Sequence, residues 1–191
     1  MNGKLILLVG PSGSGKSTIF KELKKQHRDY VFPVSVTTRP MRENEKEGEV
    51  YHFTTPEEFE KKLAKGELLE HAKVHQTHYY GLLKQPILDN LKHGKTIVRE
   101  VNIQGLESVK KIIPKKNLVT IFITVASIEE LKERIIGRAK ITQEELEHRI
   151  ESMKKEFGRA KECDYLIENK NGEINKTVQK VESIIKSETE A

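Results

Sequence analysis

The chain has 191 residues, enough for one domain with a sizeable core and small mobile insertions. Its 34 Lys and Arg against 29 Asp and Glu leave a net charge of +5 with both signs interspersed; lacking a long basic run or aromatic–basic interleaving, this balance argues against a nucleic-acid partner and fits anionic small substrates. A single cysteine, Cys163, excludes an internal disulfide, and no apolar run reaches the length of a signal-peptide core or a membrane span, so a cytoplasmic protein without a membrane partner is expected.

In chain order, Lys4–Val9 reads as a strand that runs into a glycine loop and then helix-forming sequence. "YVFPVSVTT" is a second short apolar stretch, followed by a charge-dense segment from Thr38 to Glu49. A helix starts at Thr55, where Glu58 completes a capping box and Pro56 takes the first helical position, and it stops before Gly66. "ELLEHAKVHQTHYYG" predicts paired short strands turning near Gln76–Thr77, and a helix follows from about Lys84 to Leu91, closed by Gly94. "KTIVREVNI" reads as a strand, "QGLESVKKII" as a helix and "NLVTIFITV" as a buried strand. Ser127 with Glu130 and Thr142 with Glu145 form two more capping boxes, "CDYLIEN" is a last strand, and a helix spans about Ile174–Ile185. The alternation implies an α/β fold, a mostly parallel sheet covered on both faces. Core segments of about 1–36, 92–126 and 157–191 would carry insertions at about 37–91 and 127–156, set as lids over a cleft.

Gly10-Pro11-Ser12-Gly13-Ser14-Gly15-Lys16-Ser17 fits the P-loop pattern, with the strand before and the helix after that the motif requires. Glycines let successive N–H groups close on a phosphate, and the helix N-terminus adds positive potential. Lys16 is expected to bridge the β- and γ-phosphates of a nucleoside triphosphate, and the Ser17 hydroxyl to reach Mg²⁺. Glu100, in the strand "KTIVREVNI", is the candidate to hold the metal through water, with Asn102 two residues on along the same face; the competing reading is a strand-end acid facing solvent.

"SVTTRPMRENEKEGEVYHF", Ser35–Phe53, is the second informative stretch. Arg39 and Arg42 flank Pro40-Met41 near Ser35 and Tyr51, a set suited to fork-like recognition of a phosphate monoester, although two arginines in a polar loop are more often surface charges. The P-loop together with this stretch, "GELLEHAKVHQTHYYG", "VREVNIQGLESVKK" and "RIIGRAKITQEELEHRI", in that order and spacing, resembles the guanylate kinase family over about Leu5 to Ile185. The resemblance implies a P-loop NTPase-type three-layer fold with an NMP-binding insertion and a helical lid. It implies transfer of the γ-phosphoryl group of ATP to GMP, and dGMP, with Mg²⁺, by a monomer or homodimer.

Matched to the family's motifs, residues Gly10 through Ser17 together with Thr18 bind ATP, and Asn169 lies close to the ATP base. Ser35, Arg39, Arg42, Tyr51 and Tyr80 hold the acceptor's phosphate with Glu45 nearby, Glu70 reads guanine, and Asn102 joins the acceptor site. Lys16, Arg39, Arg134, Arg138 and Arg149 are the catalytic cations, the last three acting from the lid as in-chain arginine fingers; on spacing alone, Arg134 and Arg138 also fit a solvated basic helix face. Three departures stand out: Leu82 where the family commonly has Ser after "YYG", Glu100 and Asn102 where it often has two aspartates, and Arg99 within the strand. These keep open a related kinase for another phosphate ester, or a non-catalytic protein-binding module of the same fold. His71, His75 and His78 fall on different faces of a hairpin and are read as incidental, and Cys163 as a small buried hydrophobe.

Overall fold

The computed structural model describes residues 2–43, 45–74, 78–136 and 142–190. Among these residues eight strands form two four-stranded sheets, accompanied by seven α-helices. The larger is fully parallel, in the order β6 (Thr96–Glu100), β1 (Lys4–Val9), β7 (Leu118–Thr124), β8 (Tyr165–Glu168). Strand β1 is buried on both faces because its side chains alternate between two cores. Leu5, Leu7 and Val9 pack with α3 (Lys84–Lys92) and α4 (Ile103–Ile112) through Ile87, Leu91, Leu106 and Val109. Ile6 and Leu8 pack on the other face with α1 (Lys16–Gln26) and α7 (Ile174–Glu190) through Ile19, Leu23, Val178 and Val181. These are the three layers expected of a near-continuous apolar strand.

The segment between α1 and α3 forms a sheet of its own, in the order β3 (Tyr51–Phe53), β2 (Ser35–Thr37), β5 (His78–Leu83), β4 (Leu68–Val74). Its β2–β3 pair is parallel and its β2–β5 and β4–β5 pairs antiparallel. Helix α2 (Pro56–Ala64) backs it: Phe59 is buried with Val36 and Leu68 and stacks on Tyr79 at 5.2 Å. The expected capping box is present, with Thr55 Oγ1 accepting from Glu58 N at 3.2 Å and the Glu58 carboxylate accepting from Thr55 N at 3.5 Å. Helices α5 (Ile128–Ile136) and α6 (Gln143–Gly158) make a third unit around Leu131, Ile135 and Met153. Ser127 Oγ accepts from Glu130 N at 3.2 Å, and the Glu130 carboxylate reaches back to Ala126 N at the same distance.

Several boundaries differ from the sequence reading. Strand β6 ends at Glu100, so Asn102 is not a strand residue two along from it but the N-cap of α4. Helix α7 continues to Glu190, beyond the expected Ile185. Cys163 precedes β8 rather than lying in a strand, half-buried against the α3–α4 core. The turn at Gln76–Thr77, His75, Arg138 and the side chain of Glu145, with its capping box, lie outside the described residues.

Candidate active site

The loop from Gly10 to Ser17 leaves the C-terminal end of β1 and enters α1, where Gly15 serves as N-cap in the left-handed region at φ 99°. A Cβ there would also meet Asn169 Nδ2 at 2.2 Å, so only glycine fits. Asn169 is buried and clamps the loop from behind, its Nδ2 donating to Ser14 O at 2.8 Å while its Oδ1 accepts from Thr177 at 3.0 Å. Lys16 Nζ lies 2.6 and 2.9 Å from the carbonyl oxygens of Gly10 and Pro11. Register places β6 beside β1 with Leu8 opposite Glu100, so Glu100 ends at the level of the loop, and its Oε2 accepts from Ser17 Oγ at 2.8 Å.

A cleft of about 360 Å³ joins this loop to the inner face of the second sheet. On the loop side it is bounded by Ser12, Gly13 and Gly15 to Thr18, and at its floor by Arg99, Glu100, Val101 and Asn102. The opposite wall is Ser35, Tyr51, Glu70, Ala72 and Tyr80. Strand register explains this wall. Tyr51 pairs with Ser35, Ser35 with Leu82 and Leu82 with Glu70, so four strands set one row of side chains on one face. In the next row Phe53, Thr37, Tyr80 and Ala72 align in the same way. A register irregularity between Leu68 and Glu70 falls where β4 turns Glu70 toward α4, the usual effect of a bulge. Within the row Leu82 is fully buried, packed into the main core, and offers no polar group to the cleft.

Glu70 lies against the N-terminal turn of α4. A Cβ on Gly105 would come within 2.7 Å of its Oε2, so the carboxylate occupies room that only glycine leaves. Burial pushes the Glu70 carboxyl up to about 7, with Arg99 pulling in the opposite direction. Burial likewise raises the Tyr51 phenol, which stays a hydrogen-bond donor at neutral pH.

Of the two predicted phosphate-holding arginines, Arg39 touches this wall and Arg42 does not. Arg39 is at the rim, its guanidinium 5.5 Å from the Tyr51 ring centre and 5.6 Å from that of Phe53, tied to Glu45 at 2.7 Å and to Pro40 O at 2.6 Å. Glu45 accepts from Arg42 N at 2.9 Å through its other oxygen, so it organises the loop; the Arg42 side chain is exposed and outside the cleft lining. Arg134 donates to Glu130 at 2.5 Å and to Asn169 O at 2.8 Å, and with Gly15, Thr18 and Asn169 it borders a shelf behind the loop, also of about 360 Å³. Arg149 on α6 faces an adjoining hollow bordered by Ser12, Ala72 and Asn102, opposite the loop from Arg134. The cleft therefore gathers Lys16, Ser17, Ser35, Tyr51, Glu70, Tyr80, Glu100 and Asn102, with Arg39, Arg134 and Arg149 around it.

Arg99 and Gly105 were not anticipated as site residues. For Arg99 a signal was present, a charge inside the apolar strand "TIVREV"; for Gly105 there was none, because what it accommodates comes from a strand over thirty positions earlier.

A family model described as guanylate kinase matches residues 2–188. Guanylate kinase from Thermotoga maritima is 40% identical over 188 residues, covering 98% of this chain and 88% of that protein. Guanylate kinase from Clostridioides difficile is 38% identical over 186 residues, covering 97% and 88%. Among solved structures, guanylate kinase from Anaplasma phagocytophilum superposes with a TM-score of 0.77 at 30% identity, covering 98% of this chain and 86% of that one.

Proposed function

The chain belongs to the guanylate kinase family, and we propose that it transfers the γ-phosphoryl group of ATP to GMP, giving ADP and GDP. The observation that carries this reading is the single cleft in which the P-loop faces a wall holding a recessed carboxylate and three hydroxyls. A carboxylate accepts two parallel hydrogen bonds from the N1–H and exocyclic amine of guanine, and adenine presents no such donor pair. Glu70 takes that role, and the hydroxyls of Ser35 and Tyr51 in the same row and of Tyr80 in the next take the phosphate of GMP, with Arg39 at the rim and Arg42 turning in from its loop.

On the donor side the backbone N–H groups between Gly10 and Thr18 wrap the ATP phosphates, and Lys16 moves from its carbonyl partners to the β- and γ-phosphates. The shelf bordered by Arg134 and Asn169 receives the rest of ATP. Ser17 Oγ and Glu100 Oε2 are hard oxygen donors 2.8 Å apart at the mouth of the loop, a pairing that fits Mg²⁺ directly at the hydroxyl and through water at the carboxylate. When bound, Mg²⁺ would supply charge that neutralises the phosphates. The acceptor oxygen is already ionised, so the protein's task is alignment and charge stabilisation. Arg134 and Arg149, with Arg138, serve the latter as α5 and α6 close, and closure keeps water from competing for the phosphoryl group.

A panel of nucleoside and sugar monophosphates offered with Mg-ATP, read by coupled ADP release, tests this. Turnover with GMP and dGMP and little with AMP is expected; no ADP from any acceptor would sink the reading. Leu82, buried in the row between Ser35 and Glu70 where the family commonly has a serine, favours one second reading, a kinase for another phosphate ester, and the same panel decides it.

A further inference from the structure

Strand β6 is apolar apart from Arg99, and the Arg99 side chain is buried, 8% exposed, at the edge where the parallel sheet meets the second one. A guanidinium stays charged throughout the range a protein experiences, so its burial needs compensation. One of its amino groups donates to Pro33 O at 3.1 Å and the other to Ser35 Oγ at 2.6 Å, and its charge lies 5.5 Å above the Phe20 ring. Among the described residues no carboxylate forms an ion pair with it, although Glu70 and Glu100 line the same cleft. Its positive charge is therefore open toward the cleft, with donors to spare.

The bond to Ser35 has a directional consequence. A hydroxyl that accepts from a guanidinium has committed a lone pair on that side, and its own hydrogen turns elsewhere. No described residue accepts that hydrogen from Ser35, which is itself only 3% exposed and borders the cleft. We propose that Arg99 is a positioning residue for the acceptor's phosphate: it fixes Ser35 as a donor aimed into the cleft and places a permanent positive charge behind that donor. A charge-backed donor binds an anionic oxygen more strongly than a free serine does. The inference rests on the acceptor reading of the cleft and adds to it a cation that stays in place while Arg39 and Arg42 work from a loop.

The test is titration calorimetry of the full chain with GMP and, separately, with guanosine, which keeps the base and lacks the phosphate. Arg99→Met is expected to weaken GMP about tenfold or more, the usual scale for a lost charged hydrogen bond, and guanosine by less, through loss of the charge that draws the Glu70 carboxyl down, with the KM for ATP unchanged. Arg99→Lys, retaining charge without the fork, recovers part of the loss. Ser35→Ala gives a similar loss, and the double variant is little worse than either single one, because the two act as a unit. Equal losses for GMP and guanosine make Arg99 a structural pin for Pro33 and overturn the inference, as do fully additive losses or unchanged GMP affinity. If Arg99→Met fails to fold by circular dichroism, Arg99→Lys decides on the same terms: GMP weakened more than guanosine supports the inference, and any other result overturns it. A wild-type chain that binds no GMP overturns the reading of the cleft itself, and this inference with it.

Discussion

From Gly10 to Ser17 the donor wall of the cleft is one continuous piece of backbone, held by Gly15 at its helix entry and by Asn169 behind Ser14. The acceptor wall draws Tyr51, Ser35, Leu82 and Glu70 from four strands and completes itself with Arg99 from a different sheet. A wall of backbone amides recognises any polyphosphate, and its side chains are free to evolve only at the few positions that touch metal or phosphate. A wall of side chains set by register can change what it recognises one residue at a time. The difference teaches where damage goes: changes on the donor wall should stop turnover, and changes on the acceptor wall should alter choice or affinity.

The largest effect is expected at Lys16. Lys16→Met removes the one flexible cation of the donor wall without touching the glycine turns, and kcat should fall by about 10³-fold or more, in line with losses of groups acting on transition-state charge. Melting temperature and the KM for GMP should change little. Measured turnover within tenfold of wild type would break the contrast between the walls.

Gly105→Ala strikes the acceptor wall at the point where helix α4 meets Glu70. The added methyl would meet the end of a side chain that can move, so Glu70 gives way and the helix keeps its place. Alanine is the better helix former by roughly 1 kcal/mol, so stability should hold or rise slightly. Steady-state kinetics should show the KM for GMP raised by about ten- to a hundredfold, the worth of one or two hydrogen bonds to a charged group, with the KM for ATP unchanged. A variant that melts earlier and loses both substrates equally would show that Gly105 serves packing instead.

Glu70 itself offers a sharper measurement, because burial moves its proton affinity to about 7 from an ordinary value of 4.5. The folded state then holds the proton more tightly than the unfolded chain, so stability falls as pH rises between those two values and stays low above the upper one. Glu70→Gln removes the slope. Urea melts should find the variant about 2 kcal/mol more stable than wild type at pH 8 and nearly equal at pH 4, an amount set by a shift of a few pK units and discounted for partial exposure. Affinity for GMP should run the other way, falling in wild type below about pH 7 as the carboxylate takes a proton, and staying low and flat in the variant.

The same contrast explains what could be read before the structure. The P-loop and its strand and helix are contiguous in sequence, as is the Thr55–Glu58 capping box, and local chemistry fixes each one. The second sheet hides because β2 and β3 have three residues each, too few to display a period, and their parallel pairing joins positions sixteen apart. The motif around Arg39 and Arg42 points to Ser35 and Tyr51, whereas Glu70 and Tyr80 follow only from likeness to a family; no spacing in the chain aligns the four in rows. Asn102 was assigned to a strand because the apolar pattern of β6 runs on past Glu100, whereas the chain there turns to begin α4. Arg99 was visible as an anomaly, and its meaning depended on knowing that β6 is an edge strand next to Ser35.

The smallest expected effect separates the two faces of the acceptor sheet. Thr55→Ala opens the capping box of α2, the helix that covers the sheet's back with Phe59 stacked on Tyr79. Losing such a cap costs about 1 kcal/mol, seen as a lower urea midpoint. The binding row of Tyr51, Ser35, Leu82 and Glu70 lies on the other face, and its order comes from strand register and from packing of Leu82 into the main core, neither of which involves the cap. The KM for GMP should therefore stay within about twofold of wild type, the range of surface changes worth under 0.5 kcal/mol at the site. A KM that rose several-fold with the fall in stability would mean that the row is held in place from behind by α2, and that the acceptor wall is no more independent of its support than the donor loop is of Asn169.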